Sequence, residues 1–207
     1  MGKGTMERER SRRPMRLKGW DYRTPGAYFV TICTHRRACL FGEIAGDAMQ
    51  LNEHGDIAAI CWEAIPAHYA MAQIDEFVIM PNHMHGIVFI LPSEMDDGHD
   101  MVVGARHAVP LHASPGDDAG RFGQPDPESL STIIRSYKSF VTRRINQHRH
   151  TPGACVWQRG YYDHIIRDDV NLGAVRRYIR DNPLQWALDR ENPAAPASLH
   201  EAPAWHI

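Results

Sequence analysis

Apolar and polar positions alternate along the chain with two distinct periods, and the changes of period mark its elements. Ala27 to Thr34 (AYFVTICT) follows a Pro-Gly step and is rich in β-branched and aromatic residues, which predicts a strand. Between Leu51 and His68, Ile57, Ile60, Cys61, Ala64 and Ile65 recur at helical spacing, which predicts an amphipathic helix ending near Pro66. Gln73 to Met80 (QIDEFVIM) and His83 to Leu91 (HMHGIVFIL) return to strand character, and the Pro81-Asn82 step between them fits a tight antiparallel hairpin. Glu128 to Gln147 places Ile133, Ile134, Tyr137, Phe140 and Val141 on one side of a second helix. Val156 to Arg167 predicts a fourth strand. A last helix runs from Asp169 to about Trp186, and Pro183 kinks or ends it.

The predicted order is strand, helix, strand, strand, helix, strand, helix. This is an α+β arrangement: a split βαββαβ antiparallel sheet with helices on one face, followed by one extra C-terminal helix. A chain of 207 residues suits one domain. That domain is expected over residues 20–190, with a basic arm at 1–19, a Gly- and Pro-rich loop insertion at 93–128, and a loose Ala- and Pro-rich tail at 191–207. No internal repeat is visible.

Composition excludes a disordered or collagen-like chain, since 43% of residues are hydrophobic and 23% charged. Apolar runs such as Phe77 to Met80 and Gly86 to Leu91 are too short to span a bilayer, so no membrane partner is expected. The four cysteines (Cys33, Cys39, Cys61, Cys155) show neither CxxC nor zinc-ribbon spacing. With no apolar leader behind the basic N-terminus, they suggest a reduced, cytoplasmic protein. The net charge of -2 is an average over unlike segments. Residues 1–20 carry seven basic and two acidic side chains, 129–167 seven basic and one acidic, and 93–128 two basic and eight acidic. Two basic segments around a solvated acidic loop point to a polyanionic partner, although a basic run is also compatible with a plain solvated face.

His83-Met84-His85 opens the second hairpin strand, where residues i and i+2 project from the same face, so both imidazoles can reach one metal ion. With thirteen histidines in the chain, an HxH triplet also arises by chance. This one lies on an Ile-Val-Phe-Ile strand, where buried unpaired imidazoles are costly. In the last helix, Tyr178 and Asn182 are four apart and share a face. Asn182 offers a hard amide oxygen suited to Mg²⁺ or Mn²⁺. A tyrosine near pKa 10 needs an adjacent cation to act as a nucleophile. A core aromatic on an amphipathic helix is the competing account of Tyr178.

FVIMPNHMHGIVFI, IIRSYKSFVTRRIN, VWQRGYYDHIIRD and RRYIRDNPLQW occur in an order and spacing that resemble the single-tyrosine HUH transposases, most closely the REP-associated tyrosine transposases. HUH denotes two histidines about a hydrophobic residue, here His83, Met84 and His85. The resemblance covers roughly residues 20–188 and implies a ferredoxin-like fold. It also implies that Tyr178 is the catalytic nucleophile and that His83, His85 and Asn182 hold a divalent metal, Mg²⁺ or Mn²⁺. Tyr161 and Tyr162 rank as rival tyrosines, and His164 as a structural or DNA-contacting histidine.

The implied activity is cleavage and rejoining of single-stranded DNA at hairpin or palindromic repeats, through a covalent 5′-phosphotyrosine. Arg135, Lys138, Arg143, Arg144, Arg159 and Arg167, with Arg12 and Arg13 of the arm, are the expected DNA contacts. Two other classes stay open: a domesticated repeat-processing nuclease without transposition, and a non-catalytic DNA-binding protein. A homodimer is compatible with the sequence.

Overall fold

The computed structural model describes residues 20–92 and 129–195. The basic arm with Arg12 and Arg13, the 93–128 insertion and residues 196–207 of the tail lie outside the described residues. Strands β1 (Gly26–Cys33), β2 (Gly42–Ala45) and β3 (Ala48–Leu51) lead into helices α1 (Glu53–Glu63) and α2 (Ile65–His68). Strands β4 (Ala72–Ile79) and β5 (His83–Ile90), helix α3 (Leu130–His148), strand β6 (Tyr162–Ile166) and helix α4 (Asp169–Asp181) complete the order, and a 3₁₀ turn over Pro183–Leu188 follows α4.

The main sheet has the order β4-β5-β1-β6 with every neighbouring pair antiparallel. This is the expected split βαββαβ arrangement. Its two faces differ. Tyr28, Val30, Ile32, Met84 and Val88 form the larger core beneath α1 and α3, whereas Phe29, Ile87 and Ile166 face Val175 and Ile179 of α4. Strand alternation sends adjacent residues to opposite faces, so α4 stands alone across the sheet from the other long helices.

Four local features depart from the sequence expectation. The β2–β3 ribbon was not anticipated, because its residues are exposed or half-buried and carry little alternating apolar signal. Its turn uses Gly46 and Asp47, both with left-handed backbone (φ 49° and 44°). Helix α1 starts at Glu53 rather than Leu51, because the Asn52 side chain caps it, accepting from the backbone N–H groups of His54 (3.0 Å) and Gly55 (3.1 Å). β6 begins at Tyr162, since Gly160 (φ 81°) turns the chain and leaves an isolated Thr34–Trp157 bridge before it. The last helix ends at Asp181, before Pro183.

α4 is fixed to the sheet by charge as well as by packing. β4 is irregular between Ile74 and Phe77, and the two residues inside that irregularity are Asp75 and Glu76. Arg176 pairs with Asp75 (2.5 Å) and Arg180 with Glu76 (2.8 Å), so two arginines four apart on α4 meet two adjacent carboxylates. No helix among the described residues is long and apolar enough to cross a membrane.

On the opposite face the helix–sheet distance is set by Gly86. A Cβ at this position would overlap the ring of the fully buried Trp62 on α1. Gly86→Ala should therefore destabilise the fold by about 1–3 kcal/mol, the usual range for overpacking a tight core. Thermal unfolding should show a midpoint several degrees lower. An unchanged midpoint would mean that α1 can move away at no cost.

Candidate active site

The β1–β5 register places Thr31 opposite His85 and Cys33 opposite His83. Both imidazoles project to the α4 side, and both are completely buried. Their Nε2 atoms lie 3.0 Å apart. His83 Nδ1 lies 2.9 Å from Asn82 Oδ1, while Asn82 Nδ2 donates to the carbonyls of Glu191 (2.6 Å) and Arg37 (3.2 Å). With its NH₂ spent, Asn82 presents an acceptor, so the proton of a neutral His83 sits on Nδ1 and Nε2 carries a lone pair. His85 Nδ1 meets Thr31 Oγ1 at 2.8 Å. A hydroxyl accepts or donates, so Thr31 permits either tautomer of His85. In one, His85 donates from Nε2 to His83; in the other, two lone pairs converge on the same point. The second is the arrangement that a cation needs, with Asn82 and Thr31 supplying the outer-shell hydrogen bonds typical of ligating histidines.

Three further groups reach this pocket. The Tyr178 hydroxyl is 3.3 Å from His85 Nε2, its ring standing edge-on to Phe29, which stacks on His85. Asn182, at the C-cap of α4, is buried with an Oδ1 that makes no hydrogen bond of good geometry, although its amide lies close enough to influence both His83 and Tyr178. A buried carbonyl oxygen left unpaired costs about 1–3 kcal/mol. Asp189 arrives from beyond the 3₁₀ turn, with Oδ2 3.8 Å from His83 Nε2 and 3.4 Å from Asn182 Nδ2. One ligand atom each from His83, His85 and Asp189 lies within 4.8 Å of the others.

These donors fit a divalent ion. Two cis ligands of an octahedral ion, each at roughly 2.1 Å, stand about 3 Å apart, as the two Nε2 atoms do. Imidazole, carboxylate and amide oxygen are also a mixed set acceptable to Mg²⁺ or Mn²⁺.

Asp189 was not anticipated from the sequence. It lies outside the helical spacing that links Tyr178 and Asn182, and only the chain reversal after Pro183 brings it back. The segment carrying it is held by the buried Glu191. That carboxylate pairs with Arg37 (3.0 Å) and Arg190 (3.4 Å) and accepts from the Cys33 thiol (3.4 Å).

Burial dominates the electrostatics. It lowers the pKa of His83, against the raising effects of Asp189 and Glu191, and lowers that of His85 further, with His83 adding to the depression. It raises the phenol of Tyr178, and the Asp189 carboxylate raises it again. The phenol in this pocket therefore remains protonated until positive charge enters it.

The rival tyrosines sit elsewhere. Tyr161 is buried in the larger core beneath α3. Tyr162 shares the α4 face, aligned with Thr31 and hence one strand further from His85. His164 lies on β6, its buried Nε2 making no hydrogen bond of good geometry, although the Asn171 side chain is close enough to act on it. The basic residues divide between surfaces. Lys138, Arg143 and Arg159 line one groove beside α3, while Arg135, Arg144 and Arg167 lie outside its lining. Lys138 is committed within the fold, its ammonium donating to the carbonyls of Gln158 (2.7 Å) and Gly160 (2.6 Å), and burial lowers its pKa to about 8.

The four-stranded antiparallel sheet with helices on both faces has a counterpart among solved structures. The chain has the fold of a REP-associated tyrosine transposase solved bound to a REP hairpin (TM-score 0.51, 19% identity, covering 83% of this chain and 74% of that one). A solved Deinococcus radiodurans structure is more distant (TM-score 0.40, 13% identity, covering 80% of this chain and 95% of that one). No protein-family model matches the sequence. The chain belongs to the same family as an uncharacterized protein of Haemophilus influenzae, with 38% identity over 180 residues, or 86% of this chain and 92% of the relative.

Because His83 and His85 have lower pKa values folded than unfolded, the unfolded chain binds more protons in mild acid. Their neutral burial costs nothing above the unfolded value near 6.5 and weighs increasingly against folding as pH falls below it. The metal-free protein should show a thermal midpoint that declines between pH 6.5 and 5. A His83→Gln/His85→Gln variant should decline less over the same interval. An equal decline would place the acid sensitivity at other histidines.

Proposed function

We propose that this protein is a metal-dependent DNA strand-transfer enzyme that cleaves and rejoins single-stranded DNA at hairpin or palindromic repeats. The observation that carries this reading is the Tyr178 oxygen 3.3 Å from His85 Nε2, inside the pocket where His83, Asn182 and Asp189 also converge. A core aromatic does not need its hydroxyl against a buried histidine pair beside a carboxylate. The fold shared with a hairpin-bound tyrosine transposase supports DNA as the substrate.

His83, His85 and Asp189, with Asn182 Oδ1, would hold the Mg²⁺ or Mn²⁺. When bound, the ion supplies charge stabilisation to the scissile phosphate and offsets the field of Asp189 at the phenol. Tyr178 Oη attacks phosphorus while the bond from phosphorus to the 3′ oxygen breaks, and the phenolic proton ends on that oxygen. The products are a 5′-phosphotyrosine and a free 3′-hydroxyl. Attack by a 3′-hydroxyl reverses these steps and rejoins DNA, so one phosphodiester is exchanged for another and no external energy source is needed. Helix α4 places the nucleophile through its two ion pairs to β4, and Phe29 limits the positions open to both the His85 ring and the Tyr178 ring.

Tyr178→Phe removes one oxygen and keeps the ring, so the fold and Mn²⁺ binding should be unaffected. With labelled single-stranded substrate and Mn²⁺, the parent should give label migrating with protein on a denaturing gel. The Phe variant should give none, while Tyr161→Phe and Tyr162→Phe retain the adduct. An adduct that persists in Tyr178→Phe and disappears in Tyr162→Phe would move the nucleophile to β6. Asp189→Asn and Asn182→Ala should each weaken Mn²⁺ binding by at least roughly tenfold, the lower bound for disturbing even outer-shell partners. Titration calorimetry showing parental affinity in either variant would remove that residue from the ligand set.

A further inference from the structure

We propose that the open groove between the C-terminal half of α3 and the 150–159 loop binds unpaired nucleotides of the DNA strand, on the sheet face opposite the His–Tyr pocket. The inference rests on the DNA reading above and adds a second contact site to it. The groove encloses about 1200 Å³, more than the roughly 300–1,000 Å³ typical of a small-ligand pocket. None of the described residues lining it is acidic, although the chain as a whole is slightly negative. Arg143 and Arg159 are exposed on its opposing walls, and His35 and His150 add imidazoles to the lining. Pro152 is exposed at its rim, while Trp157 and Val156 are buried beneath its floor. Cationic walls with no carboxylate between them suit the phosphates of a DNA strand.

The groove is built rather than accidental. Asn146 Nδ2 donates to the Ala154 carbonyl (2.9 Å), and the Thr151 N–H to the Asn146 carbonyl (3.0 Å), tying loop to helix at one end. Lys138 ties them at the other through Gln158 and Gly160. The groove therefore exists before any ligand arrives, and a bound strand orders little of the protein.

It also connects to the reactive pocket by a short covalent and hydrogen-bonded path. Trp157 bridges Thr34, the Gln158 N–H donates to the Cys33 carbonyl (2.9 Å), and the Thr34 N–H donates to the carbonyl of Asn82, which orients His83. Groove and histidine pair thus lie at the same end of the sheet, on its two faces. A strand passing around the end of β1 can occupy both.

Cys155 lines the groove and is exposed, whereas Cys39 is exposed but outside the lining, so the protein carries its own probe and comparison. The full chain in EDTA would be alkylated with iodoacetamide in the presence of a saturating 15-nucleotide oligo(dT), or of a blunt duplex of equal length, and the modified peptides quantified by mass spectrometry. Oligo(dT) should slow modification of Cys155 at least fivefold and leave Cys39 unchanged, and the duplex should protect neither. Arg143→Glu/Arg159→Glu should weaken oligo(dT) binding at least tenfold. Loss of two single-strand phosphate contacts should also reduce the salt slope by about 1.4. Mn²⁺ affinity should be unchanged. Oligo(dT) that binds while Cys155 stays reactive overturns the groove and leaves the Tyr178 reading intact. Equal protection by the duplex overturns the assignment to unpaired nucleotides. Failure of the parent to bind any oligonucleotide overturns this inference and the DNA reading together.

Discussion

The register between β1 and β5 is the constraint on which the rest of the site depends. Side chains alternate between sheet faces, so a slip of one residue would carry both imidazoles into the core beneath α1 and α3. There they would meet Trp62 and Tyr137 instead of Tyr178. The same slip would send Met84 and Val88, now buried under the helices, towards α4. The hydrophobic pattern of β5 and the placement of its histidines are therefore one specification. Thr31 joins it, because only the observed pairing puts a hydroxyl against His85 Nδ1.

Once the histidines face α4, the remaining groups arrive by three separate devices. The carboxylates at the β4 irregularity hold the helix through Arg176 and Arg180. Helical spacing then brings Tyr178 and Asn182 to one face. The proline-initiated 3₁₀ turn reverses the chain, and Glu191 binds the returning segment to the end of β1, leaving Asp189 beside His83. Burial makes this assembly sensitive to charge. Burial holds the histidines neutral and, together with the field of Asp189, holds the phenol protonated.

Much of the sheet was legible in the sequence, because β1, β4 and β5 carry continuous apolar and β-branched runs and α3 carries a long helical period. The β2–β3 ribbon was not, since it buries little and its signal is a Gly46-Asp47 turn rather than a pattern. The strand expected from Val156 proved half its length because Gly160 turns the chain there. Strand period pairs His83 with His85 and helical period pairs Tyr178 with Asn182; that the two pairs belong to one site was implied by the resemblance alone, and the structure brings them into one pocket. Asp189 and Glu191 were hidden because tertiary reversal, not local periodicity, delivers them. The expected basic surface also divides: Lys138 is spent on two backbone carbonyls, while Arg143 and Arg159 face a groove whose second wall no helical wheel could supply.

The donor groups of the pocket are far apart in the chain, His83 and His85 on an early strand and Asn182 and Asp189 after the last helix, with the 93–128 insertion between them. Contacts of such long sequence separation form late, after loop closure has been paid for by the sheet. During synthesis the histidine strand can pair with its neighbours well before Tyr178, Asn182 and Asp189 leave the ribosome. The nascent chain thus acquires its architecture first and its polar pocket last, and a chain truncated before α4 would carry all four strands of the main sheet without Tyr178, Asn182 or Asp189.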